Sequence, residues 1–415
     1  MKNGLKVRTN RESGQVSIIT VIAFILLFSV IVVSFSRIMV TTLRQAVNDE
    51  LAASARAAAE AGIEDAKRIL SYCMTEGGSD CDMLDQVIEK SDCTTISSKT
   101  SLMNALQRKV VEGTGSSISV GDGGNSEEYL CLKITMITEN YTGELTADGN
   151  VDGEKESDVI PLRFVDISGK STPPKSILIQ WHRTGTDDDK PATGLKAGSD
   201  LPPASEWKQG GVNPAVLRAE FVAVPKSGFT VEKLTENTRA VTLRPSKAYG
   251  TDAIPVSSSP NLYDLNSWRK QTTPNAVDRV FIMPVECNEN GTGAYFEGHA
   301  CSVAFTIPGD LNSSTYLFDT DTYDYYLRLQ AIYRDTHFRI SARSADEKLY
   351  FDRVQANVDV TGRARDSLKR LSVRLEPYDG RDGNRWWPDY VVDTAGKACK
   401  NMTVEAYEGK DECTD

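Results

Sequence analysis

Twenty consecutive residues without a charge, VSIITVIAFILLFSVIVVSF from Val16 to Phe35, constrain this chain more than any other stretch. As a helix rising about 1.5 Å per residue they span about 30 Å, the thickness of a bilayer's hydrocarbon core. The preceding leader carries Lys2, Lys6, Arg8 and Arg11 against the single acid Glu12. Basic flanks stay in the cytoplasm, so the leader is expected inside and the remainder outside. Ser34-Phe35-Ser36 has the small-x-small form of a secretory cleavage site. The run is nevertheless longer than the about 7–15 apolar residues of a removable signal.

The helical pattern continues past Arg37. Leu43, Val47, Leu51, Ala55, Ala58, Gly62, Ala66 and Ile69 recur every three or four residues. That spacing places them on one helical stripe. Arg44, Asp49, Arg56, Glu60, Asp65 and Arg68 fall mostly elsewhere, and no proline interrupts residues 15–70. One continuous helix of about 80 Å is expected. Its first half is apolar all round. Its second half is amphipathic, with small residues that let neighbouring backbones come close.

The order of basic leader, Gly14, apolar helix and amphipathic continuation resembles the class III signal of type IV pilins. AASARAAAEAGIEDA, from Ala52 to Ala66, is similar to the alanine-rich end of the N-terminal region in PilX-like minor pilins. VQANVDVTGRARDSLKRLSVRLEP, from Val354, is similar to the closing strands of related pilus proteins. The resemblance implies that a prepilin peptidase cuts after Gly14 and that Gln15 becomes a methylated N-terminus. It implies that Ile19, Leu43, Val47, Leu51, Ala55, Ala58, Gly62 and Ala66 serve packing of the helix in a filament. The implied partners are other pilins, the prepilin peptidase, the pilus assembly platform, the membrane, and a host or surface ligand for the head. The implied location is the inner membrane, N-terminus in and C-terminus out, and then the extracellular pilus.

Two positions depart from the major-pilin pattern. The mature chain would begin with Gln15 rather than Phe, and its fifth residue is Ile19 rather than Glu. In major pilins that Glu answers the terminal amine of the subunit above, and a buried amine without a counter-charge is costly. A subunit with none above it can dispense with the carboxylate, which points to the filament tip. Two alternatives share the N-terminal logic: a single-pass surface adhesin that does not polymerise, and a pseudopilin of a type II-like secretion system.

The chain has 415 residues, 25% charged and 40% apolar, with a net charge of −11. Cleavage after Gly14 removes four basic residues and one acid and deepens the net charge to −14. An acidic body argues against a general nucleic-acid binder. Eight cysteines all follow the apolar run, which suits disulfides formed outside the cytoplasm. Cys287–Cys301 and Cys399–Cys413 would each close a short loop. Cys73, Cys81, Cys93 and Cys131 allow three connectivities.

The expected fold class is α+β, with the long helix followed by a β-rich, mainly antiparallel head. The segments expected are a leader over 1–14, a membrane helix over 15–36 and its continuation over 37–70. A small helical and loop region over 71–126 and a β-rich head over 127–376 follow, with a disulfide-looped tail over 377–415. Within 71–126, CDMLDQVIEK and SLMNALQRKVV carry helical periodicity, and Gly113 to Asn125 reads as a linker. From residue 129 the period changes to two. Nine segments read as strands: YLCLKITMI, KSILIQWHR, AVLRAEFVAV, DRVFIMPVEC, CSVAFTIPG, YYLRLQAIYR, HFRISA, DRVQANVDV and RLSVRLEP. Residues 184–213 and 244–277 read as long loops.

No constellation for catalysis emerges. SGKS at 168–171 lacks the first glycine of a phosphate loop, since Phe164 stands there. No G-x-S-x-G and no C-x-x-C occur, and there are only three histidines. The chain is read as a non-enzyme without a cofactor. Asp148, Asn150 and Asp152 followed by Gly153 match the first half of a calcium loop. The twelfth position is Val159 rather than Glu, and an Asp/Gly turn is the plainer reading. Arg363, Arg365, Lys369, Arg370 and Arg374 form the strongest basic cluster, read as a solvated strand face balanced by acidic neighbours.

Overall fold

The computed structural model describes residues 13–75, 78–86, 92–107, 117–120, 127–147, 157–184, 213–227, 237–246, 262–264, 282–288, 296–306, 319–344 and 347–376, with Leu195, Trp207, Thr230 and Gly291 between them. Helix α1 runs Ser13–Thr75 without a break, about 95 Å at the standard rise. It starts earlier and ends later than the apolar pattern alone requires. Two compact units make up the chain. The smaller comprises Met1–Asp65, Ile96–Leu132 and Asp359–Leu371, and the larger comprises Ala66–Thr95, Lys133–Val358 and Ser372–Asp415. The helix is thus not a separate body, because its upper part shares a unit with strands from two distant parts of the chain.

The smaller unit draws on α3 (Thr100–Leu106), β1 (Ile118–Ser119), the start of β2 (Glu127–Thr138), the end of β14 (Glu347–Ala364) and the start of β15 (Ser367–Leu375). β1 pairs antiparallel with β2, and β2 and β15 both border β14. Its core is made of Ala55, Ala58, Ala59, Ile96, Leu102, Leu106, Ile118, Tyr129, Val360 and Ala364, all buried. The short strand β1 lies inside the stretch that reads as a linker. Two residues of strand carry too little periodicity to stand out among glycines and serines.

The larger unit is a sandwich of two sheets. One has the order β10-β8-β7-β12-β4, from Ile282–Glu286, Thr238–Ser246, Val216–Pro225, Tyr323–Ile332 and Ser157–Pro161. The other is centred on β13 (Thr336–Ser344), flanked by β3 (Asn140–Leu145) and β6 (Ser176–Arg183). β11 (His299–Thr306) pairs antiparallel with β6, and β9 (Leu262–Asp264) lies parallel on β11. The β10–β8 pair is also parallel, and the other pairs whose register is described are antiparallel. Alternate residues from both sheets meet in one apolar core. Ile179, Trp181, Val303, Phe305, Phe338 and Ile340 come from one sheet, and Leu217, Phe221, Leu243, Val285, Leu327 and Leu329 from the other. The buried Trp181 donates its indole N–H to the carbonyl of Ala215 at 2.9 Å, which removes the cost of burying that donor.

All nine segments with period-two patterning are strands. The additional strands are β3, β4 and β8, with the very short β1, β5 (Phe164–Val165) and β9; each of the three longer ones defeats the pattern for a physical reason. NYTGEL contains Gly143, SDVIP contains Asp158 and Pro161, and TRAVTLRPS buries Arg239 and Arg244. β8 also claims residues 244–246, and β9 claims 262–264, inside a stretch that reads as loop. Within the expected helix over 81–90, the part up to Asp85 belongs instead to a 3₁₀ turn, Ser79–Asp85, and residues 87–90 lie outside the described residues.

Cys287 and Cys301 are disulfide-bonded, closing 14 residues and joining β10's end to β11 across the core. Cys73 bonds to Cys81, and Cys93 and Cys131 are also disulfide-bonded. Cys399 and Cys413 lie outside the described residues, as do Trp386 and Trp387. Replacing Cys287 and Cys301 together by Ser is expected to lower the unfolding free energy by about 2–4 kcal/mol. Urea melts of the oxidised chain in detergent check this, and an unchanged midpoint contradicts it.

Candidate functional site

The surface least explained by folding is the apolar half of α1. Every large apolar side chain described there is exposed, from Ile18 through Val47, between 44% at Val47 and 73% at Phe35. A patch of this extent needs an apolar partner. This helix is long and apolar enough to cross a membrane. Its polar side chains suit a dry setting. Ser29, Ser34, Thr41 and Thr42 each donate their hydroxyl to a carbonyl three or four residues earlier, at 2.7–3.1 Å. No hydroxyl among these four needs water.

Beyond Val47 the helix changes partners. Ala55, Ala58 and Ala59 are fully buried against the smaller unit's own strands. Two glycines allow this. A side-chain carbon at Gly362 would collide with the Ala55 carbonyl oxygen and the Ala59 amide nitrogen, and one at Gly62 would lie 2.6 Å from Val360. Helix and strand backbones are therefore nearly in contact, which only small residues permit. Polar links surround the contact. Tyr129 donates its hydroxyl to Asp65 at 3.0 Å, Ser54 donates to Glu127, and the buried Glu128 pairs with Arg363.

The sequence-derived packing residues thus divide. Ile19, Leu43 and Val47 are exposed, Leu51 is half-buried, and Ala55, Ala58, Gly62 and Ala66 are buried within the chain. The last four are already used in folding, since a stripe of small residues serves a sheet of the same chain as well as a second helix. Gly14 and Gln15 lie in the first turn of α1. Asp148, Asn150 and Asp152 lie outside the described residues. Among the described residues no three His, Cys, Asp or Glu side chains converge as a metal would require. In the basic cluster Arg363 pairs with Glu128, Arg370 with Asp359, and Arg374 donates to Asn140 O and to Gln355 Oε1.

Sequence reasoning missed Gly362 and Tyr129. The glycine left a usable signal, because an isolated Gly inside the pattern VDVTGRA marks a close backbone approach. Tyr129 left none, since a strand-initial tyrosine is ordinary. No family model matches the chain, and no curated protein matches it.

Gly362→Ala is expected to destabilise the protein by about 1–3 kcal/mol through overpacking against α1. Tyr129→Phe, which removes only the hydroxyl that Asp65 accepts from, should cost about 1–3 kcal/mol. Thermal melts of the full chain in detergent measure both, and two wild-type midpoints contradict the docking of α1.

Proposed function

We propose that this chain is a minor pilin of a type IV filament, similar to PilX-like proteins, which primes assembly and caps the tip. The observation that carries the reading is the division of α1. An exposed, largely apolar half continues into a half docked on strands of the smaller unit, so one helix both needs an apolar partner and takes part in the chain's own folded core. Before assembly the exposed half rests in the bilayer, with the basic leader inside. After a prepilin peptidase cuts between Gly14 and Gln15, an assembly platform draws it into a bundle of pilin helices. There Ile19, Leu43 and Val47 exchange lipid contacts for helix contacts of equal apolarity.

Ile19 supports the tip position. It stands where major pilins carry the carboxylate that neutralises a neighbour's amine, and a subunit with no neighbour above loses nothing by it. The sandwich head is far larger than a priming role needs, which favours adhesion to a surface or host as a second task. The reading assigns no catalysis.

The mature N-terminus of the native protein tests the reading. Intact mass and terminal peptide sequencing should find a chain that begins at methylated Gln15. A chain that begins at Met1 is a plain membrane anchor, and one that begins at Arg37 is a secreted protein. Either overturns the proposal.

A further inference from the structure

A polar groove of about 610 Å³ opens on the outer face of the larger unit's sheet. Strand alternation builds it. Phe338 and Ile340 of β13 point into the core, so His337 and Arg339 point out. On β3, Glu144 stands opposite His337 and Thr142 opposite Arg339, and further along the same sheet His299 of β11 stands opposite Arg183 of β6. Arg374 completes the lining.

Its cations are incompletely satisfied. Arg339 pairs with Glu297 through one terminal nitrogen, while its Nε is buried without a partner. Arg374 uses one terminal nitrogen on Asn140 O and Gln355 Oε1. Arg183 is exposed and has no ion-pair or hydrogen-bond partner for its side chain among the described residues. Burial, and secondarily Arg339, pulls the Arg374 pKa down from its ordinary value, as expected for like charges held close. Burial also lowers the His299 pKa, with Arg339 and Arg183 adding to it, so this ring is neutral near pH 7. Its Nδ1 lies 3.3 Å from the Phe296 carbonyl, a contact that suits the tautomer with the proton on Nδ1.

The geometry points to a binding site for a carboxylated sugar, a sialic or uronic acid at the end of a glycan. Guanidinium groups bind carboxylate through two parallel hydrogen bonds. Glu144, Thr142 and the His299 ring offer acceptors for hydroxyl donors beside that anion. A volume of about 610 Å³ falls in the usual range for small-ligand sites. Long polyanions are disfavoured by Glu144 and Glu297 in the groove wall and by the chain's net charge of −11. The inference does not rest on the pilus reading, because the groove belongs to the head alone.

Calorimetry on the full oxidised chain in detergent micelles tests it, with sialyllactose and glucuronic acid as probes and lactose and glucose as their neutral counterparts. The expected result is saturable binding of at least one acidic sugar with none of its neutral counterpart. Arg183→Ala should weaken binding about tenfold or more. Lys226→Ala, which instead removes the cation facing Asp324, should leave it unchanged. Equal binding of neutral sugars, no binding of either acidic sugar, or an unaffected Arg183→Ala variant overturns the assignment. So does heparin binding that falls steeply with salt while both acidic sugars fail to bind. None of these results bears on where the mature chain begins.

Discussion

The contact between Gly362 and the helix backbone at Ala55 and Ala59 is the constraint on which the account depends. It brings a strand end within touching distance of α1, where Ala55, Ala58 and Ala59 are fully buried. Because this contact uses the small-residue stripe inside the chain, the stripe is withdrawn from any partner. What remains for a partner is the half from Ile18 to Val47, large, apolar and exposed. One helix therefore carries two packing codes: bulky residues for a surrounding of lipid or other helices, and small residues for a sheet at close range.

The larger unit rests on different physics. Its two sheets bury Trp181, Phe338, Phe351 and Leu217 face to face, and the Cys287–Cys301 bond ties an edge strand of one sheet to the other. Rigid cores of this kind free the outward faces of the strands from any packing duty. On β13 that freedom is used by His337 and Arg339, whose partners Glu144 and Thr142 on β3 and Gln180 on β6 are also polar or charged.

Much of this was legible in the sequence where one physical signal dominated. The uncharged run from Val16 to Phe35 and the stripe from Leu43 to Ile69 gave the helix, and period-two alternation gave nine strands. Cys287 and Cys301, close in sequence and flanked by strand patterns, gave their own pairing. Legibility failed where two signals competed. Arg239 and Arg244 sit buried in β8, so charge hid a strand. Gly143 and Pro161 hid β3 and β4. The stripe of small residues was read as a surface for other helices because a sequence states that a helix can be approached closely, but not by what. The groove on the outer sheet face was invisible for the same reason, since Arg183, His299, Arg339 and Arg374 come from four strands and converge only through register.

The division of α1 is tested most directly by photo-crosslinking from its exposed half in native cells. A photoreactive residue at Phe28 or Leu43, followed by shearing of surface filaments, should give adducts between this chain and a second protein subunit in the filament fraction. Adducts confined to lipid in the membrane fraction, with none to protein at either position, would contradict the claim that this half of the helix packs against other subunits.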